Sequence, residues 1–190
     1  GIALTIDAEE ADRLELSLEL LDRLLRQPRL AGWEGLGLAV QAYSKRATDV
    51  LRFLGRRADE TGRVLNVRLV KGAYWDSEVK RAQERGLPGY PVYTRKQNTD
   101  VCFLACARIL LDGSRRIYPQ FATHNAHTVA SIIHLASARR REFESSSRGE
   151  RESSHWLAPS DYTGEKCCLA TRIASFARSG LRSLASGRTR

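Results

Sequence analysis

Methionine is absent from this 190-residue chain, and so is any apolar run of the roughly 20 residues that a membrane-spanning helix needs. The second absence excludes a transmembrane helix. With no methionine even at the start, and an opening Gly1-Ile2-Ala3-Leu4-Thr5-Ile6-Asp7 that already reads as a strand, the chain is expected to be a fragment of something longer. That opening also lacks a basic leader, which argues against a signal peptide. Cysteine is scarce as well. Cys102 and Cys106 stand four apart on a helix pattern, Cys167 and Cys168 are adjacent, and neither pair has zinc-ligand spacing with a histidine. Such cysteines read as small apolar residues in a reducing, cytoplasmic setting. The length suffices for one domain with a core, but not for the roughly 250 residues of a complete (β/α)8 barrel.

Acidic residues are in deficit, 22 Asp and Glu against 31 Lys and Arg, for a net charge of +9. A surplus of this size raises nucleic acid or an anionic surface as partner, so its placement matters. Through Ser137 there are 20 basic against 16 acidic residues, and beyond it 11 against 6. More than half of the excess therefore sits in the C-terminal stretch, and the body has an ordinary mixed-charge surface. A basic nucleic-acid-binding protein remains an alternative, but Trp156 and Tyr162 are isolated there rather than interleaved with the arginines.

What the body does contain is a repeat of apolar runs and amphipathic stretches. Ile2–Asp7, Leu36–Tyr43, Leu65–Lys71 and Ile117–His124 read as strands covered on both faces. Between them, Leu14, Leu18, Leu21 and Leu25 share a helix face, as do Ala47, Val50, Leu51, Leu54 and Ala58, with Gly62 where a C-terminal cap belongs. Val101, Leu104, Ala105 and Leu111 suggest a third face, and Val129, Ile132, Ile133 and Ala136 a fourth. This alternation predicts an α/β fold with a parallel sheet and crossover helices. It leaves open whether the sheet is flat or part of a barrel. One connection, Gly86-Leu87-Pro88-Gly89-Tyr90-Pro91-Val92-Tyr93-Thr94-Arg95-Lys96, is too rich in proline and glycine for a helix, and a long ordered loop of this kind is usually functional.

Ligands of α/β proteins collect at the carboxyl ends of the strands. Here those ends carry Asp7, then Gln41 and Tyr43, then Arg68, Lys71, Tyr74 and Trp75, then Thr123, His124 and Asn125. The third set is the densest, with Val67-Arg68-Leu69-Val70-Lys71-Gly72-Ala73-Tyr74-Trp75-Asp76-Ser77-Glu78 passing from a strand through cations and aromatics into a helix-opening Asp-Ser-Glu. Each residue has a plainer reading. Arg68 would serve as a buried salt-bridge partner, Asp7 as a helix cap, and Thr94-Arg95-Lys96 as an exposed turn. Lys71 would suit a Schiff-base enzyme. His124 and His127 lack the placed third ligand of an open metal site, so no metal is assigned.

Five segments together resolve these alternatives. Leu4 to Glu10, Val40-Gln41-Ala42-Tyr43, Arg68 to Glu78, Tyr90 to Lys96 and Tyr118 to Thr128 resemble, in order and spacing, the proline dehydrogenase domain of the bifunctional proline-utilisation enzymes of bacteria. The resemblance covers residues 1 to about 137 and implies a partial (β/α)8 barrel of about four βα units. It implies FAD as cofactor. Arg68 matches the arginine beside the flavin's reactive nitrogen. Gln41, Val70, Lys71, Gly72, Ala73 and Trp75 match residues lining the flavin, and Thr94, Arg95 and Lys96 match its dinucleotide contacts. Thr123, His124 and Asn125 match the strand end on the flavin's far side, while Asp7 and Tyr74 match substrate-pocket positions. The implied reaction oxidises L-proline to pyrroline-5-carboxylate, with hydride passing to FAD and electrons to a membrane quinone. Peripheral association with the inner face of the membrane and a homo-oligomer belong to the same picture, and DNA is a partner only if the parent carries a separate domain.

The resemblance ends near Ser137. The family continues there with Tyr-Glu-Phe-Gln-Cys-Leu-His-Gly-Met-Gly, and this chain has Arg141-Glu142-Phe143-Glu144-Ser145. Residues 138–190 hold 10 Ser and 10 Arg and lose hydrophobic periodicity. They are expected to be a disordered or out-of-frame tail, as a shifted frame in GC-rich DNA would encode. Arg140 and Arg141 are not equated with the paired arginines that the family uses for the proline carboxylate. An inactive truncated product is therefore a further alternative.

Overall fold

A computed structural model describes residues 2–146 of the chain. Four strands, β1 (Leu4–Ile6), β2 (Leu36–Gln41), β3 (Leu65–Val70) and β4 (Ile117–Phe121), alternate with helices α1 (Leu14–Leu25), α2 (Ala47–Thr61), α3 (Trp75–Glu84) and α4 (Lys96–Asp112). Every neighbouring pair of strands is parallel, and the order in the sheet is the order in the sequence. Crossovers of one hand between consecutive neighbours place all their helices on the same side of the sheet. A doubly wound sheet would reverse its order at a switch point. The observed order is that of a barrel arc.

The two faces of the sheet differ accordingly. Leu36, Leu38 and Val40 of β2, Leu65, Val67 and Leu69 of β3, and Ile117 and Phe121 of β4 are buried on the face that meets the helices. The opposite face carries Gly37, Ala39 and Gln41, then Asn66, Arg68 and Val70, then Tyr118 and Gln120, with Ala39, Arg68 and Gln120 in register. Only β2 is buried along both faces. β3 alternates between buried and half-exposed, because its second face, carrying Asn66, Arg68 and Val70, is only partly covered. The expectation that all four strands are covered on both sides therefore holds for one. β1 is shorter than Ile2–Asp7, and Leu4 is exposed.

The helices bury the faces their sequences set aside, with one exception. α2 buries Ala47, Val50, Leu51, Leu54 and Ala58, and its last turn closes on Gly62, whose φ of 67° is the left-handed conformation of a C-terminal glycine cap. α1 buries Leu21 and Leu25. α4 buries Thr99, Cys102, Phe103, Cys106, Ala107 and Leu110, not the expected stripe of Val101, Leu104, Ala105 and Leu111. Val101 is 69% exposed. The two cysteines behave as small apolar residues, 3.9 Å apart between sulfurs, and they rotate the buried face toward themselves.

The described residues up to Ala122 form one compact unit, and those from Thr123 to Ser146 belong to a second. In the second, α5 (Ala126–Ser146) runs past Ser137, so the sequence expected to begin the tail is helical at first. Its start is capped by Asn125, whose Oδ1 accepts hydrogen bonds from Thr128 N–H at 2.9 Å and Thr128 Oγ1 at 3.1 Å. The remainder of the expected tail, with Cys167 and Cys168, lies outside the described residues. Among the described residues, no helix is long and apolar enough to cross a membrane.

Candidate active site

The carboxyl ends of β2 and β3 run on together beyond the strands proper. Ala42 N–H bonds to Val70 O and Tyr43 N–H to Lys71 O, both at 2.8 Å. Gln41 closes this end from the side. Its Nε2 donates to Glu9 O at 2.7 Å, and its Oε1 accepts from Ala73 N–H at 3.0 Å. One buried amide thus ties the segment after β1 to the loop after β3, and keeps a single N–H free of these two bonds. The expected role for Gln41 was to line a ligand. The structure adds that it fixes both flanking loops.

The proline- and glycine-rich connection is pinned rather than loose. Lys45 N–H bonds to Pro91 O at 3.0 Å and Tyr93 N–H to Tyr43 O at 2.8 Å, around an antiparallel bridge between Ser44 and Val92. The Trp75 indole N–H donates to Tyr93 O at 3.0 Å while the ring stays 42% exposed. These bonds deliver Thr94, Arg95 and Lys96 beside the end of β3. Lys71 and Lys96 meet there on one carboxylate, Asp100: Lys71 Nζ pairs with Oδ1, and Lys96 Nζ lies 2.6 Å from Oδ2. Hydrogen bonds from both lysines hold the Asp100 carboxyl below its usual range. The Lys71 ammonium is committed to this pair, which gives a Schiff-base reading no support.

Arg68 lies further back along β3, on the face of the sheet opposite the buried Leu65, Val67 and Leu69. Its Nε is buried without a hydrogen-bond partner, and its guanidinium has no ion pair among the described residues. The salt-bridge reading of Arg68 is thereby corrected. Its neighbours in register, Ala39 and Gln120, supply no carboxylate. A half-buried cation on a sheet face with an unmet donor is left available to a partner outside the described residues.

Asp7 is exposed, and its Oδ1 accepts only from Ala8 N–H at 3.0 Å, so it does not cap α1. Tyr74 precedes α3 and its carbonyl accepts from Glu78 N–H at 2.9 Å. Thr94 and Arg95 are exposed, and Arg95 opens α4 without any side-chain cap. Gly72 has a φ of 144° and lies against the Tyr43 ring. Thr123 is buried and His124 exposed within the second unit, where Thr123 Oγ1 accepts from Asn125 N–H at 3.2 Å. A small cavity bounded by Asp7, Gln41, Tyr43 and Val50 has about 40 Å³. That is room for a few waters; a wider cavity of about 310 Å³ lies between α2 and α4, lined by Leu51, Asp59, Ile109 and Leu110. Among the described residues, no group of three or more His, Cys, Asp or Glu side chains is placed to hold a metal ion.

Asp100 escaped the sequence reading, as did the supporting contacts of Glu78 and Tyr43. Asp100 was signalled only by its spacing of four from Lys96. Glu78, buried inside α3, accepts Ala11 N–H at 2.5 Å, and with Arg81–Asp12 at 2.8 Å it straps α3 to the segment before α1. The Tyr43 hydroxyl is buried without a partner; burial, and then the charge of Glu78, push it from 10.0 up to about 12. The unfolded chain therefore ionises this phenol first as pH rises, and the folded state loses stability between roughly pH 10 and 12. Tyr43→Phe is expected to flatten that loss in urea titrations across this window. An unchanged pH slope in the variant would show that Tyr43 is not the group responsible.

A family model described as proline dehydrogenase matches residues 1–148. Over 135 residues the chain is 63% identical to the bifunctional protein PutA of Salmonella typhimurium and 61% identical to that of Escherichia coli, matches that cover 71% of this chain and 10% of each relative. The chain thus spans about a tenth of the length of these relatives. A solved structure of a variant of proline utilization A from Bradyrhizobium japonicum is 58% identical with a TM-score of 0.70, over 71% of this chain and 14% of that one. The protein of the same name from Bdellovibrio bacteriovorus, inactivated by N-propargylglycine, is 35% identical with a TM-score of 0.71, over 74% and 14%.

Proposed function

Because this chain belongs to the proline dehydrogenase family, and its four βα units are an arc of that family's (β/α)8 barrel, we propose that it supplies the FAD-facing wall of an enzyme oxidising L-proline to pyrroline-5-carboxylate. The observation that carries this reading is Arg68, a half-buried guanidinium with an orphaned Nε on the polar face of the sheet. FAD, when bound, would supply the two-electron chemistry by accepting hydride from proline. Arg68 contributes a fixed positive charge where negative charge builds up on the ring, and needs no reorganisation to do so. The free N–H of Gln41 and the backbone from Val70 to Ala73 line the ring edge, and Trp75 offers its exposed indole face. Lys71, Lys96, Arg95 and Thr94, beside the uncapped start of α4, offer cations, a hydroxyl and free backbone N–H groups to a diphosphate. Asp7 and Tyr74 are the substrate-side residues. Thr123, His124 and Asn125 complete the reading from the strand end after β4. Electrons leave to a membrane quinone, which sets the enzyme at the inner membrane surface.

Two measurements test this. FAD titrated into the chain is expected to lose fluorescence and to bind more tightly than FMN, which lacks the second phosphate and adenosine. In a complete barrel carrying this segment, L-proline is expected to bleach the bound flavin under anaerobic conditions. A complete barrel that purifies without flavin, or one whose flavin proline leaves oxidised, would sink the assignment.

A further inference from the structure

Lys71 directly follows β3, Lys96 opens α4, and Asp100 stands one helical turn after Lys96 with one carboxylate oxygen on each ammonium. The Lys71 side chain is 25% exposed and that of Lys96 72%. A lysine this exposed, on a four-carbon stem, samples many rotamers unless something holds it. Asp100 holds both. Each ammonium gives it one N–H and retains two, so the pair presents four donors from fixed positions. Two ammoniums and one carboxylate leave a net single positive charge at the edge of the site.

We infer that Asp100 is a positioning residue, whose role is to set the Lys71 and Lys96 ammoniums as one preorganised cradle for the cofactor's diphosphate. The inference rests on the FAD reading of this site. Its physical basis is that rotamer entropy surrendered within the folded protein is not charged again when the anion binds. The carboxyl stays ionised through neutral pH, because both lysines hold it below its usual range. The exposed i,i+4 pair between Lys96 and Asp100 contributes little to stability by itself, so its consequence is to be sought in binding.

The sign of one substitution separates positioning from plain electrostatics. Asp100→Asn removes a negative charge from an anion site. If charge alone mattered, FAD would bind more tightly. Positioning requires the opposite, a weakening of about tenfold as two lysine stems regain their freedom, with little change in melting temperature. Fluorescence titration of the full chain with FAD measures the affinity, and circular dichroism reports folding. Asp100→Ser serves as a second variant of the same sign should the asparagine form fold poorly. Asp100→Glu, which restores the carboxylate on a longer arm, is expected to recover part of the lost affinity. Lys96→Met is also expected to cost less affinity in the Asp100→Asn background than in the parent chain. Tighter or unchanged FAD binding by Asp100→Asn, or strictly additive losses with Lys96→Met, would overturn the inference while leaving the flavin reading intact. A parent chain that binds no FAD would overturn the reading, and the inference with it.

Discussion

Replacing Arg68 with methionine is expected to slow reduction of bound FAD by L-proline roughly 10²–10³-fold, the usual cost of removing one preorganised charge donor from an active site. The same substitution is expected to leave folding stability nearly unchanged. The two halves of this result are linked by what Arg68 does not do. A buried arginine in an ion pair is expensive to remove, about 3–5 kcal/mol, because the abandoned carboxylate is left without compensation. Arg68 has no such partner among the described residues, and its Nε is unmet there. Methionine keeps much of the stem's length and apolar contact while deleting a charge that the fold itself does not use. The kinetic half is read by stopped-flow in a complete barrel carrying this segment, the stability half by urea unfolding of the chain. A large loss of stability with a small loss of rate would return Arg68 to the structural role its position in a strand first suggests. Lysine at the same position should recover only part of the rate, since a point charge on a flexible stem does not reproduce a planar guanidinium.

The contrast also explains which parts of the molecule can be read from sequence. α2 is legible in full because its five buried positions are all apolar and spaced for one face, and Gly62 marks its end. α4 is not, because its buried face is made of Thr99, Cys102, Cys106 and Ala107 as much as Phe103 and Leu110. Small residues of intermediate polarity carry little periodic signal, while the branched Val101 advertises a face that points to solvent. Strand positions were legible, but their coverage was not. The sequence of β3 alternates Leu65, Val67 and Leu69 with Asn66, Arg68 and Val70, so one face was available for a site all along. The strand order that sets a barrel arc apart from a doubly wound sheet is encoded in no local pattern; the family resemblance implies it, and the sheet has it.

The site divides the same way. Residues whose chemistry is conspicuous, Arg68, Lys71, Trp75 and the Thr94-Arg95-Lys96 run, could be named from their types and from where the strands end. Their supports could not. Asp100 lies mid-turn in an amphipathic helix among ordinary charges, and its two ion pairs appear only when α4 is laid against the end of β3. The double use of Gln41, and the packing of Gly72 on Tyr43, are likewise contacts between segments separated by about 30 residues. A single sequence lists the groups that would touch a ligand more readily than the groups that hold them in place.

That packing makes Gly72→Ala the substitution with the largest expected effect on folding within the site, a loss of about 2–5 kcal/mol. Two costs combine. The φ of 144° lies where a residue with a side chain is strained, and a Cβ there would stand 2.4 Å from Tyr43 Cγ and 2.5 and 2.8 Å from its two Cδ atoms. Those are the ring atoms nearest the backbone, so turning the ring about its own axis does not clear them. The Tyr43 backbone cannot retreat easily either. Its N–H is bonded to Lys71 O, its carbonyl accepts from Tyr93 N–H, and the residue is only 4% exposed. The remaining outlet is the loop itself. If residues 72 and 73 move outward, Ala73 N–H leaves Gln41 Oε1, and Lys71 is drawn off Asp100. FAD affinity should therefore fall together with stability. Tyr43→Ala provides the control. With the ring removed, only the backbone strain should remain, so Gly72→Ala is expected to cost about 1–3 kcal/mol less in that background. Urea unfolding of the four proteins in the cycle measures this coupling directly. Equal costs with and without the ring would mean that the glycine is required by backbone conformation alone, and that the Tyr43 contact has no part in fixing the loop.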